Sequence, residues 1–556
     1  MNPAKDESST AQLFVGGEVV SYASNESQPD SALLVVGGRI AAMGDAGDLE
    51  SLAKSKGLDV EKVDLTGMFL IPGFVDPHAH PLMFGQMMDW VDVGPNVARD
   101  IPTIIRILID HEKTMAPGVP LRAFGYEHRN LAEGRHPTRL DLDRVSTTRE
   151  IYVMNASGHG GAVNSRTLGN NGISAATKDP LGGVFERDET GMPNGVLWDA
   201  ACDILTGPDG VKLGNHAPNF HLPDSIETLT RQLLQAQDVF VANGVTTIGD
   251  AQVSYREFDV YVAASQKNML NARYSMFATS AMLEGLKEFK SRNLPDSDLL
   301  CLDGVKLYAD GTLGGWTAYF PEGYAIDKSR TGQLYHSDME FQQLFLAASD
   351  EGFHVATHAQ SPTAIQMVID AANLAHQKSK SLDGGRSNVY RIEHCGLPLS
   401  SQMEDLARLG IIAVSQPSHH HNWGDGVITA VGEEMGGRFN PLGEFLRNGV
   451  GFALSSDAPV AKPHPFEAIA AAVERRTIHG TVLGSKDLSI GIREAFLAHT
   501  VGGARALGRE KDLGTIEVGK FADFALVSRD PMKLELGEIR ELTVEQTWLG
   551  GRKVFG

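Results

Sequence analysis

Cysteine is scarce: 556 residues contain three, Cys202, Cys301 and Cys395. They lie far apart with no CxxC pair, which excludes a disulfide framework and a thiolate zinc cluster and favours a reducing compartment. No run of about 18 apolar residues occurs, so no membrane span is expected. The opening stretch MNPAKDESSTAQ lacks the basic and then apolar order of a secretory leader, and a cytoplasmic location is expected. Positive charge is also short, with 49 Lys plus Arg against 70 Asp plus Glu and a formal net charge of -21. Such a surface repels phosphate backbones and anionic lipid, which argues against nucleic acid and membranes as partners and leaves a small molecule. The glycine-rich pieces SGHGG and GTLGG lack the spacing and context of phosphate loops, so no nucleotide site is expected.

What is present is enough apolar sequence for a large core: 42% hydrophobic and 21% charged residues. From Leu13 to Leu70 short apolar runs alternate with glycine turns, and LGTIEVGKFADFALVSRD and VEQTWLGGRKVFG repeat that style near the C-terminus. Both read as hairpins, and neither is large enough to bury a core alone, so the termini are expected to share one small β domain. Between them, GVTTIGDA, LDGVKLYADG, GFHVATHAQ, NVYRIEHC, GIIAVSQPS and GVGFALSSDAP are apolar runs that end in polar residues. Helical patterns such as PTAIQMVIDAANLAHQ follow, which is the rhythm of parallel βα units and points to an α/β fold of the (β/α)8 type. The expected organisation is residues 1–66 and 501–556 in the terminal β domain and 67–500 in the barrel. An insertion of about 84–223 after the first strand would roof the site.

In a barrel of parallel strands the chemistry sits where strands end. His78 and His80 close FLIPGFVDPHAH, and a side-chain period of two puts both imidazoles on one face. Alone the pair also fits ordinary polar residues at a strand end. Four more ligand-type residues close later runs: Lys306, His358, His394 and Asp457. Each has a plainer reading, as a rim charge paired with Asp303 or Asp310, a hydrogen-bonded core histidine, or a turn cap. Together, four histidines and an aspartate offer imidazole and carboxylate donors suited to zinc or a related divalent ion.

HxH, a lysine, two separated histidines and a final aspartate, in this order, resemble the amidohydrolase superfamily of metal-dependent hydrolases. DGVKLYADGTLGG, RIEHC, SGHGGAVNSRTL, GGVFERDETGMPNGVL and GTIEVGKFADFALV resemble more narrowly its branch of N-substituted formamide deformylases and YtcJ-like proteins. The resemblance covers nearly the whole chain. It implies a distorted (β/α)8 TIM-like barrel with a β-sandwich built from both termini, and two divalent metal ions, zinc first, with manganese, iron or cobalt also suited. His78 and His80 would hold the buried ion and His358 and His394 the outer one. Lys306, carboxylated on Nζ, would bridge them as an anionic oxygen donor. Asp457 would bind metal and act as general base towards a water whose pKa the metal lowers to about 7. His159, in SGHGG, stands at the position of an oxyanion donor, or else only braces the insertion.

The implied reaction is hydrolysis of an amide C–N bond, in an N-substituted formamide or related acylamide, by an enzyme expected to be a homodimer. N-acyl amino acids, esters or lactones on the same site form an alternative, and a non-catalytic metal-containing binding or regulatory protein a second. Other residues carry less. Trp316 and Trp423 fall in βα loops and are expected to wall an apolar substrate pocket. In the triplet His419, His420 and His421, consecutive residues of an extended segment cannot converge, and His421 is taken as the member that meets substrate. Gln360 and Ser361 stand where relatives carry a glycine-aspartate pair, and Asp199 stands where a glutamate is expected, so their roles stay open. Arg391, beside His394, braces the barrel or faces substrate.

Overall fold

The computed structural model describes residues 10–20, 30–207, 210–219, 221–286, 288, 294, 297–380 and 388–556. The first nine residues, most of the segment inspected above for a leader, lie outside the described residues. Eight strands pair in chain order: β1 (Phe74–Ala79), β2 (Val245–Val253), β3 (Arg273–Thr279), β4 (Leu300–Tyr308), β5 (His354–Ala359), β6 (Tyr390–His394), β7 (Ile412–Ser415) and β8 (Phe452–Leu454). Every pairing is parallel. All residues of β1, β2, β3, β6 and β7 are buried, as strands covered on both faces must be, and this is why they read as continuous apolar runs. Helices such as Tyr255–Gln266, Asp338–Asp350 and Pro362–Lys380 make the crossovers. At Gly249 in β2 an added Cβ would lie 2.1 Å from the Pro77 carbonyl oxygen, so β1 and β2 meet at a separation only glycine permits.

Among the described residues β8 and β1 share no ladder. The barrel is drawn shut just beyond the strand end instead. Ser456 N donates to Asp76 Oδ1 (3.1 Å), Asp457 N to the His78 carbonyl (2.9 Å) and His80 N to the Ala458 carbonyl (2.8 Å).

Between β1 and β2 the chain builds a second sheet of six strands, from Val91–Asp92 to Pro193–Asp199. The termini build a third sheet together. Phe524–Val527 pairs antiparallel with Phe69–Pro72, which leads directly into β1, and Thr10–Val19 continues the sheet on the far side. This establishes a β unit shared by both ends, and of the expected sandwich no more than that. No described helix is long and apolar enough to cross a membrane.

The terminal sheet is tied to the barrel by a buried ion pair. Arg273, the first residue of β3, donates from Nε and Nη2 to Asp523 at 2.6 and 3.0 Å, and its guanidinium lies 3.6 Å from the Phe521 ring centroid. The side chains are 3% and 4% exposed, so removing one partner strands a charge in the interior. Arg273→Ala should therefore lower stability by about 3–5 kcal/mol, measured by urea unfolding. A loss no larger than that of an exposed pair would show that this contact does not anchor the termini.

Candidate metal centre

The strand ends converge on one cavity of about 330 Å³ lined by His78, His80, Lys306, His358, His394 and Asp457, with His159 and Tyr308. All six ligand-type residues expected at strand ends are thus brought together. Atoms of His78, His80 and Asp457 lie within 4.8 Å of one another, and so do atoms of His394, His419 and Asp457. Asp457 Oδ1 is 3.3 Å from both His78 Nε2 and His80 Nε2, while Oδ2 is 3.9 Å from His394 and 3.7 Å from His419. The His358 and His394 ring centroids are 4.5 Å apart. Two of these strand-end residues hold left-handed backbone, His394 at φ 69 and Asp457 at φ 55, a conformation that costs non-glycine residues energy and collects at functional sites.

The outward ring nitrogens are fixed by partners. His78 Nδ1 meets the Glu393 carboxylate, His358 Nε2 donates to the Gly311 carbonyl at 2.9 Å, and His394 Nδ1 donates to Gln416 Oε1 at 2.8 Å. Gln416 is itself oriented, because its Nε2 donates to Ser455 Oγ. His78 thus keeps Nε2 for the cavity, buried without a hydrogen bond, and His394 Nδ1 lies 3.9 Å from Asp457 Oδ2. Fixing the far nitrogen in this way is how proteins present imidazole to a metal, so this donor set fits a divalent ion.

Electrostatics agree. Burial holds His80 down at about 4 and drives His358 and His394 well below the usual imidazole range, which leaves neutral donors. His78 is the exception. Burial and Lys306 push it down, but Glu393 and Asp457 outweigh them and raise it, which marks a place where positive charge is favoured. Burial pushes the Glu393 carboxyl up, yet Arg391 and His78 hold it at about 2. Arg391 is fully buried and also donates to the carbonyls of Pro77 and Ala506. It braces the barrel and compensates Glu393 rather than facing substrate.

Lys306 is buried on β4, its Nζ 4.6 Å from the Tyr308 ring centroid. The pairing with Asp303 or Asp310 left open above is not formed: Asp303 accepts from Ser275, and Asp310 accepts from the amides of Tyr319, Gln360 and Ser361. Burial lowers the lysine to about 8.

A second lobe of about 500 Å³ opens from the first, lined by Leu313, Val427, Phe439, Trp423, His419, Gln360, Glu127 and Arg129. Trp423 stands in its wall as expected. Trp316 does not: it packs against the cluster containing Phe320 and Tyr324. His421 is likewise corrected. The triplet does not lie on an extended segment but opens a helix, Pro417–Val431, so the side chains fan out at about 100° steps. His419 and Trp423, four residues apart, share the face towards the lobe, with ring centroids 4.6 Å apart. His421 Nδ1 instead donates to the Arg476 carbonyl (2.7 Å), and His420 Nε2 to that of Ala471 (2.9 Å). Sequence reasoning also missed Arg129, which is clamped bidentately to Glu127 at 2.9 and 3.0 Å; the helical phase of 417–423 and the HRN segment were the available signals.

Three comparisons bear on this geometry. A profile described as the amidohydrolase family matches residues 61–555. The N-substituted formamide deformylase of Arthrobacter pascens is 30% identical over 539 residues, covering 94% of this chain and 94% of its own length. YtcJ of Bacillus subtilis (strain 168) is 27% identical and covers 92% of this chain and 93% of its own. Among solved structures, an uncharacterized metal-dependent hydrolase from Pyrococcus horikoshii superposes with a TM-score of 0.75 at 22% identity, covering 95% of this chain and 99% of that one, a likeness of fold.

Glu393→Gln keeps shape but removes the charge that faces His78. Zinc affinity, titrated against a competing chelator, is expected to fall about 10–100-fold with circular dichroism unchanged. Undiminished affinity would detach Glu393 from the centre.

Proposed function

We propose a reaction for this chain from the premise that it belongs to the amidohydrolase family, which the match over residues 61–555 and the relative at 30% identity establish. It is a hydrolase, and the finer reading is hydrolysis of an amide C–N bond in an N-substituted formamide or related acylamide. The observation that carries this reading is the cavity itself, where oriented, neutral imidazoles and Asp457 meet beside a largely apolar lobe.

In this reading His78, His80 and Asp457 hold one divalent ion and His358 and His394 a second, zinc being the first expectation. A divalent ion bound there supplies Lewis acidity and lowers the pKa of a water towards about 7. Asp457 stands where the lobes join. Its Oδ1 lies beside His78 and His80, so Oδ2 remains to take the proton of the attacking water and return it to the leaving nitrogen. His159 lines both lobes and is placed to donate to the carbonyl oxygen as its charge grows. Leu313, Trp423, Val427 and Phe439 receive the nitrogen substituent, and the Glu127–Arg129 pair is already mutually compensated, so an apolar or aromatic amine is favoured over a charged aliphatic one.

Lys306, carboxylated on Nζ, would supply the centre with an anionic oxygen donor. Support comes from its burial beside the ligands, from the prior commitment of Asp303 and Asp310, and from a lysine held at about 8, because only the neutral amine adds carbon dioxide.

Dialysis against chelator should abolish amine release from benzylic and aryl formamides, and zinc or manganese should restore it. Faster turnover of charged N-acyl amino acids than of these formamides would reject the substrate class. Lys306→Ala should lower metal stoichiometry and abolish hydrolysis, with partial restoration by a small carboxylic acid that fills the vacant bridge. Full metal content with near-normal turnover would remove the lysine from the centre.

A further inference from the structure

Asp199 is completely buried at the end of the strand Pro193–Asp199 of the inserted sheet, and its φ of 50 is strained for a residue with a side chain. Its carboxylate collects three donors from two parts of the molecule. His159 Nδ1 lies 2.8 Å and Tyr335 OH 2.8 Å from Oδ1, and Gln333 Nε2 lies 3.2 Å from Oδ2. The backbone closes the same pair, since Asp199 N donates to the His159 carbonyl at 2.7 Å. Among the described residues no lysine or arginine pairs with this carboxylate, and His159 is its one partner able to carry positive charge.

A buried carboxylate satisfied by hydroxyl and amide donors alone is a costly way to brace a loop, because a neutral amide would make similar contacts without losing a hydrated charge. Of the three side chains that bond this carboxylate, only His159 can carry a complementary positive charge. With Nδ1 donating to Asp199, the His159 ring is held with Nε2 turned to the cavity, its centroid 5.3 Å from that of His358. A ring held so presents Nε2, rather than Nδ1, to whatever occupies the cavity.

We infer that Asp199 is a positioning residue that fixes the orientation and Nδ1 proton of His159 for the hydrolytic reaction, with Tyr335 and Gln333 holding the carboxylate in place. The inference rests on the hydrolase reading above for what His159 does, and on geometry alone for how it is held.

The test is a double-mutant cycle on the metal-loaded enzyme with the best formamide of the panel. Asp199→Ala and His159→Ala should each lower kcat about 10²–10³-fold with KM little changed and metal content intact. The double variant should be no slower than His159→Ala, because the aspartate acts only through the histidine. Asp199→Glu should recover part of the rate, as a carboxylate that can still reach Nδ1. Multiplying losses, or an Asp199→Ala enzyme that turns over normally, would overturn the inference. A crystal structure of Asp199→Ala supplies a readout independent of activity. The His159 ring should leave its wild-type orientation, and an unmoved ring would overturn the inference even if no amide proved to be a substrate, whereas a wild-type enzyme inactive on every amide, with a displaced ring in the variant, would defeat only the amide reading.

Discussion

The site depends on a seam. Eight parallel strands form the central sheet, but its first and last members do not ladder to each other; Asp457 N on the His78 carbonyl and His80 N on the Ala458 carbonyl join them instead. The first bond joins two ligand candidates, and the second ties His80 to the residue after Asp457. Closing the barrel and setting Asp457 against the two histidines is therefore a single event. The left-handed conformation at Asp457 is sustained because the chain is pinned on both sides of it, by Ser456 N on Asp76 and by His80 N on the Ala458 carbonyl.

Around the seam the interior is organised to tolerate charge. Arg391 and Glu393 sit on β6 and compensate each other, and the second oxygen of Glu393 turns to His78. The inserted sheet repeats the arrangement at its own margin, where Asp199 faces His159. In both places a carboxylate too deep for water is matched to one imidazole, and that imidazole faces the cavity. Burial keeps His80, His358 and His394 neutral, as donors to a cation must be.

The barrel and the meeting of six ligand-type residues at its strand ends were legible because both rest on period and position: continuous apolar runs mark strands buried on both faces, and a polar residue closing each run marks the rim. What escaped lay in local phase or in distant partnership. An extended triplet lets at most one ring reach the site, with His421 expected there, whereas Pro417 starts a helix that puts His419 on the inward face. Trp316 lies in a βα loop as expected but packs into a separate apolar cluster. Glu393 stands next to His394 in sequence but serves His78, more than three hundred positions earlier, a pairing only the closed barrel creates. Asp199 was noticed as an anomaly, and its partners Tyr335 and Gln333 come from the loop after β4.

The shared terminal sheet has a consequence for the life of the chain before it is folded. Phe69–Pro72 leads into β1 yet takes its antiparallel neighbour from Phe524–Val527. During synthesis that edge stays open until Phe524–Val527 has emerged, and an open strand edge invites pairing with other chains. Every barrel strand precedes Phe524–Val527 in the chain, so the strand that enters the barrel is covered only after the barrel's own strands exist. A nascent chain stopped before Phe524 would carry all six ligand candidates with this edge of Phe69–Pro72 still open.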